Sequence, residues 1–529
     1  MKRTTIYIAF AVSGMILGSC SKDFEAINTD PEHLTNANMN YNYLLTAAQL
    51  TTSGNSDANA YEDWRNNLIY ASCMIQHLSS TFGYWGGDKY TYNAGYNSAY
   101  WDQTFNNPVR NIIEVIENSK NDTAHQDLYQ IARIFKVFMF QRVTDMYGDC
   151  PYSEAGRGYT NGITSPKYDK QQDIYADMLK ELQEAAGALG SGANTVGSAD
   201  ILYSGDPVQW KKFAYSEMLR LAMRMVKVDP DNAKKWAQTA VTGGVMTSIT
   251  DDAVFSHQTG VPGTATTNGS ALVLDGVDPN AARLSATFVN YLVATKDPRL
   301  IYFGTVAEDP NNTDDLGDNS PAIQLGQPNG YDNAGGAFDI TKAPGYPGSQ
   351  AKYSIVNRNT FARLDAPTFF LTYAETALLQ AEAVQRGWIS GSVSDFYTRG
   401  VTAAMNQLGQ IAKYVNATPA PLPAISAADI TAYLQTNPFN AGDALNQINT
   451  QYWIATFMDE YEAWANWRRT GFPHLNEIKN YPTNVTNGSI PRRFTYPLSE
   501  ATTNTDNYNA AVAGLSNGDK MTSRVWWDK

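Results

Sequence analysis

Apolar side chains recur every three to four positions along much of the chain, the spacing that gives a helix one buried face. Leu128, Ile131, Ala132, Phe135, Val137 and Phe138 follow it, as do Ile174, Met178, Leu182 and Ala185. The same period runs through 210–226, 233–241, 367–386, 392–408 and 451–468 and predicts helices there. Period-two alternation, the mark of a half-buried strand, is weak throughout. The pair 367–386 and 392–408 turns at Gly387. It sets Ala381, Gly387 and Tyr397 near where tetratricopeptide repeats place small and aromatic packing residues. The pattern therefore predicts an all-α fold of stacked helical hairpins with tetratricopeptide-like repeats, decorated by long ligand-binding loops.

Those loops are 81–108, 242–285 and 303–360, rich in Gly, Asn, Asp, Tyr and Pro. Loops of this length inside a domain are either disordered or functional, and their aromatic content argues for order and function. The first holds Phe82, Tyr84, Trp85, Tyr90, Tyr92, Tyr96, Tyr100, Trp101 and Phe105 among Gly and Asn. Flat aromatics accept the C–H faces of pyranose rings, and amides and carboxylates pair with sugar hydroxyls. Tyr84, Trp85, Tyr90, Tyr92 and Tyr96 are thus the candidate ligand-binding residues. Peptides ask for similar surfaces, so a peptide ligand stays open. The plainer alternative, aromatics that only pack the loop on the helices, is favoured for Tyr100, Trp101 and Phe105.

The first twenty residues change the picture. Lys2 and Arg3 precede an apolar stretch from Ile6 to Leu17, and Leu17-Gly18-Ser19-Cys20 completes a lipobox. This predicts a lipoprotein signal peptide at 1–19, lipid on Cys20, a tether at 20–40 and a helical domain at 41–529. The apolar stretch falls short of the roughly 20 residues that span a bilayer, so the membrane attachment expected is lipid. A net charge of −13 without a basic run argues against nucleic acid.

Little catalytic or metal chemistry is visible. Cys73 and Cys150 could pair in an oxidising compartment or serve as apolar fillers. His33, His77, His125, His257 and His474 are scattered, with no zinc spacing. The run from Glu308 through Asp318 is rich in hard oxygen donors, so structural calcium is a possibility, but it lacks the EF-hand Gly and Glu positions; no cofactor is expected. A glycoside hydrolase would need two carboxylates across a cleft. No motif presents such a pair, nor a G-x-S-x-G elbow or an H-E-x-x-H, and the chain reads as a binding protein, not an enzyme.

The chain also resembles the SusD/RagB outer-membrane lipoproteins of the Bacteroidetes, in their second SusD-like subfamily. The resemblance is carried by the run from Phe24 to Pro31, by RVTDMYGDCPYSEA from Arg142 and by Lys296-Asp297-Pro298-Arg299. AETALLQAEAVQRGW from Ala374, Trp467-Arg468-Arg469-Thr470-Gly471 and Trp526-Trp527-Asp528 extend it to the end of the chain. Cys150 and Tyr215 depart from the family pattern. The resemblance implies an outer-membrane, lipid-anchored protein facing the cell exterior, seated on a SusC-like TonB-dependent transporter and passing it a glycan. Its alternative is an oligopeptide, as in RagAB-type uptake. Asp145, Tyr147, Glu154, Arg468 and Arg469, which belong to the shared runs, are read as buried or half-buried polar contacts, because a buried charge persists only when paired.

Overall fold

The computed structural model describes residues 39–55, 63–191, 195–260, 266–414, 421–478 and 480–529. The expected signal peptide, Cys20 and the tether up to residue 38 lie outside the described residues.

Helices α1 (Asn42–Thr52), α2 (Ala94–Asn106), α3 (Pro108–Ser119), α4 (Gln126–Tyr147) and α5 (Gln171–Ala188) open the body. Next come α6 (Pro207–Arg224), α7 (Pro230–Gly243), α8 (Ala286–Ala294), α9 (Tyr373–Gln385) and α10 (Val393–Tyr414). The last are α11 (Ala427–Thr436), α12 (Ala444–Ala455), α13 (Glu460–Thr470) and α14 (Thr505–Ala513). Helices neighbouring in sequence pack on one another: α3 on α4, α4 on α5, α6 on α7, α9 on α10 and α12 on α13. The helix α6 also contacts α5 and α9, which joins the hairpins into one stack. The all-α architecture expected from the hydrophobic period is the one observed.

Local chemistry sets the ends. Asp206 accepts hydrogen bonds from the backbone N–H of Val208 and Gln209 ahead of α6, where Pro207 presets the first helical φ. Thr372 and Glu375 form a reciprocal capping box on α9. Gly244, at φ 103°, closes α7 in a conformation that Cβ-bearing residues avoid. The periodic face of α4 buries Ile131, Phe135, Val137 and Phe138 completely. Each such side chain stabilises the stack by about 1.5–3 kcal/mol.

Two helix expectations need correction. The run 367–386 begins as a strand, because Thr368–Leu371 pairs antiparallel with Ala253–Phe255 and the helix starts only after the Thr372 cap. The run 451–468 is two helices, broken at Met458, whose φ is 75°. The expected long loop 81–108 is half helix: Asn93 accepts the Tyr96 N–H at 3.1 Å and starts α2. Among the described residues the remaining sheet consists of two-stranded ribbons.

Charged side chains tie the stack together. Arg224 of α6 reaches Asp145 of α4 at 3.2 Å and Glu462 of α13 at 2.5 Å. Arg220 reaches Glu375 of α9 at 2.7 Å, and Tyr452 of α12 donates to Glu462 at 2.8 Å. Arg469 grips Glu382 of α9 through both terminal nitrogens, at 2.6 and 2.7 Å. The Arg468 guanidinium donates to the Asp145 carbonyl at 2.6 Å, and the Tyr147 hydroxyl to the Asn97 carbonyl at 2.6 Å. Glu154 is half-buried and accepts the Lys167 N–H at 2.9 Å. Cys73 and Cys150 are buried free thiols, which makes both apolar fillers; burial pushes each thiol well above its ordinary pKa. No described helix is long and apolar enough to cross a membrane.

Candidate functional site

The aromatic loop hangs from one short ribbon. Strand β1 (Leu78–Ser80) pairs antiparallel with β2 (Ala282–Leu284), which brings the loop after residue 80 beside the segment before residue 282. The ribbon is fixed from behind: His77 Nδ1 lies 2.6 Å from Glu460 Oε2, and Asn329 donates to the Leu78 carbonyl at 2.8 Å.

Under the loop sits a buried ion pair. Lys89 Nζ is 2.8 Å from Asp88 Oδ1 and donates to the Ser80 carbonyl at 2.7 Å. Asp88 Oδ2 accepts the Ser80 N–H at 3.1 Å. Both side chains are completely buried, so their mutual pairing is what makes the burial tolerable. Gly87 is required here, because a Cβ would fall 2.1 Å from the Ile69 carbonyl oxygen.

The five aromatic candidates have different fates. Trp85 and Tyr90 are buried at 0% and 1% exposure, whereas Tyr84 and Tyr92 are 42% and 43% exposed. Tyr96 is half-buried in the first turn of α2, edge-on to Tyr70 with ring centres 6.5 Å apart. Asp278 explains the contrast within the loop. One of its oxygens accepts both the Tyr84 hydroxyl at 2.6 Å and the Trp85 indole N–H at 2.8 Å. Trp85 thereby satisfies its polar tip while buried, and Tyr84 is pinned with its ring in solvent. Loss of hydration, then the bond to Asp278 and its charge, raise the Tyr84 phenol above its ordinary pKa.

Beside this platform lies an open cleft of about 570 Å³, within the roughly 300–1,000 Å³ of small-ligand sites. Asn280, Asp309, Asn333, Asp339, Tyr346 and Gln350 are among its lining residues. Gln350 links the two features, donating to Thr81 Oγ1 at 2.9 Å at the base of the aromatic loop. Arg283 supports the floor, donating to the Asn280 carbonyl at 2.9 Å and the Gln350 carbonyl at 3.4 Å. Burial, with repulsion from Arg358 second, lowers the Arg283 pKa to about 10. Tyr346 packs on a small cluster of Ile340, Ala343 and Tyr353, which braces the far wall.

The acidic run 308–318 forms another part of the rim. Arg358 secures it, donating to the carbonyls of Pro310 at 2.5 Å, Asn312 at 2.8 Å and Asp315 at 3.0 Å. Its carboxylates turn onto backbone N–H groups: Asp315 accepts from Glu308 and Gly317, and Asp318 from Ser320. Among the described residues no three His, Cys, Asp or Glu side chains gather at metal-binding spacing. A separate interior cavity, lined by Arg142, Arg299, Glu375 and Asp459, measures about 70 Å³. That is room for a few waters, not for a sugar ring.

Composition pointed to Tyr84, which stands exposed on Asp278, and to Tyr92, which is exposed but neither bonds Asp278 nor lines the cleft. It missed Asn280, Asp278, Asp339, Tyr346 and Gln350, although two of the long loops it marked contain them. The β1–β2 pairing, the Gln350–Thr81 bond, the Asp278 bonds to Tyr84 and Trp85 and the Arg283 bonds to Asn280 and Gln350 bring these residues together.

Residues 32–497 match a family model described as SusD-like_2, starch-binding and associating with the outer membrane. A solved structure described as a chitin-binding protein is 34% identical with a TM-score of 0.79, over 93% of this chain and 100% of that one. A SusD-like protein of Bacteroidetes AC2a is 28% identical, also with a TM-score of 0.79, over 93% and 100% of the two chains. A SusD homologue from Bacteroides uniformis is 26% identical with a TM-score of 0.72, again over 93% and 100%. No curated protein sequence matches the chain.

Proposed function

The chain belongs to the SusD-like_2 family, and from that premise we propose that it is a cell-surface lipoprotein that binds a glycan and delivers it to a SusC-like TonB-dependent transporter. The observation that carries the ligand reading is the solvent-facing Tyr84 ring, pinned by Asp278 beside a polar cleft of about 570 Å³. A sugar ring stacks on the phenol while Asn280, Asn333 and Gln350 offer donors and acceptors to its hydroxyls. The chitin-binding relative supports a glycan over a peptide.

The protein acts here as a binder and not as an enzyme. Replacing Tyr84 by Ala in the full chain is expected to weaken an N-acetylglucosamine oligomer by about 1–3 kcal/mol, by analogy with the range for bases stacked on aromatic side chains. Replacing Tyr346 by Ala is expected to weaken it by a similar amount. Calorimetry reads both, and unchanged affinity in both variants removes the site. Trp85, fully buried, reports on loop packing instead.

Anchoring is assigned to Cys20. Several acyl chains, at about 0.8 kcal/mol per buried methylene, hold such a protein durably. Cys20→Ala is expected to release the protein from the outer membrane in cell fractionation; full retention of that variant would refute lipid anchoring at this cysteine.

A further inference from the structure

One turn, residues 481–486, touches both halves of the candidate site. The Val485 N–H donates to the Tyr90 carbonyl at 3.0 Å and ties the turn to the aromatic loop. The Tyr481 hydroxyl donates to Asp332 Oδ2 at 2.9 Å, and its ring meets Phe338 edge-on with centres 5.3 Å apart. Asp332 and Phe338 belong to a small loop closed at its base, where the Asp332 N–H donates to the Phe338 carbonyl and the Ile340 N–H to the Asp332 carbonyl, both at 2.8 Å. Asn333, Asp339, Ile340 and Thr341 of this segment line the cleft, and Tyr481 does not. At the exposed tip stand Gly335 and Gly336, at φ 80° and 85°. A glycine tip leaves the backbone free to spread, so the loop keeps its place through its ties elsewhere. The bonds from the Gly335 N–H to Asp339 and from Lys342 to the Gly336 carbonyl run within the segment and do not fix it to the body. Ile340 anchors the far end in its cluster with Ala343 and Tyr353, and Tyr481 holds the near end. The turn is tied internally: Asn484 Oδ1 accepts the Thr486 N–H at 2.7 Å and its hydroxyl at 3.0 Å.

Resting on the glycan reading above, we propose that Tyr481 is a positioning residue of the site: through Asp332 it holds the cleft wall 332–341 in place beside the aromatic loop and so sets glycan affinity. Loss of hydration, then the bond to Asp332 and its charge, push the Tyr481 phenol up to about 12, so its proton stays in the bond through the neutral range. A held wall and a released one differ by about one hydrogen bond to a charged group. At this half-exposed position that is about three- to tenfold in the binding-competent fraction, and affinity scales with that fraction.

The test uses the full chain with oligomers of N-acetylglucosamine and of glucose, read by calorimetry, with urea unfolding and hydrogen exchange beside it. Tyr481→Phe keeps the ring against Phe338 and removes the hydroxyl. It is expected to bind about three- to tenfold more weakly at an unchanged urea midpoint, with faster exchange at the Asp332 and Ile340 amides. Asp332→Ala should lose at least a similar factor from the loop side, and Asp332→Asn, whose amide can donate to the phenol oxygen, should restore most of it. Tyr481→Phe combined with Asp332→Ala should bind no more weakly than Asp332→Ala alone, since both break one bond. Wild-type affinity in Tyr481→Phe, losses that add in the double variant, or a loss matched by a fall in the urea midpoint overturns the proposal. If Tyr481→Phe fails to fold, Asp332→Ala against Asp332→Asn decides it from the loop side. A wild-type chain that binds neither oligomer refutes the glycan reading, and this inference with it. A wild-type chain that binds, with variants that bind equally well, refutes this inference alone.

Discussion

Arg469→Met is expected to destabilise the protein by about 3–5 kcal/mol, because it leaves Glu382 buried without its two-pronged partner. Arg386, 2.7 Å from one Glu382 oxygen and partly exposed, replaces only a fraction of that pairing. Urea unfolding measures the loss, and a change below about 1 kcal/mol, the scale of a surface pair, would contradict it. Replacing both partners, Glu382→Met with Arg469→Met, should recover much of the stability, since an apolar pair needs no compensation.

The same pair makes a pH statement. Burial raises the Glu382 carboxyl, but Arg469 and then Arg386 outweigh it and hold the pKa at about 2. A depressed folded pKa contributes stability that is whole above the unfolded value of about 4.3 and is lost as pH falls toward about 2. The wild-type chain should therefore lose on the order of 3 kcal/mol from this group across that window. Arg469→Met should start lower and show a flatter slope there. Identical slopes would assign the acid sensitivity to other carboxylates.

Lys89→Met is expected to abolish most ligand binding while leaving the helices folded. It strands the buried Asp88 carboxylate, at a penalty of about 3–5 kcal/mol. That penalty falls on the loop that the pair underlies, which is expected to loosen before the helical stack does although Asp278, Gln350 and Tyr70 still hold it. Hydrogen exchange should rise across residues 78–93, and glycan affinity should fall at least about tenfold, which corresponds to 1.4 kcal/mol. Asp88→Asn combined with Lys89→Met removes the stranded charge and should recover part of both. Unchanged exchange in the single variant would show that the pair does not hold the platform.

The helical frame was legible because its signal is repetitive: 126–147, 207–224 and 230–243 each carry an apolar stripe, and Asp206-Pro207 and Asp229-Pro230 mark starts. Where tertiary pairing decided, pattern failed. Nothing local distinguishes Thr368–Leu371 as a strand until Ala253–Phe255 lies beside it. Helix α2 escaped because aromatic and Asn-rich composition blurred its stripe, although Asn93 is a start signal, whereas α3 carries a clear stripe of Val109, Ile112, Ile113 and Val115 behind Pro108 that the sequence did show. For the candidate site, composition marked the aromatic loop but could not tell Tyr84 from Trp85. That distinction depends on Asp278, almost two hundred positions away, which anchors one aromatic through its indole and the other through its phenol.

The frame and the site are held by separate means. Helices are cross-tied by Arg224, Arg220 and Arg469, while the platform meets the cleft wall through a three-residue ribbon, the Gln350–Thr81 bond, the Asn329–Leu78 bond and the Asp278 bonds to Tyr84 and Trp85. Changes at positions that share no partners add nearly independently. Exposed loop positions can therefore diverge at little cost to the frame, so a lineage can change the carbohydrate it takes by rewriting them in 81–93, 278–280, 308–311 and 333–351 while the buried Asp88–Lys89 pair stays.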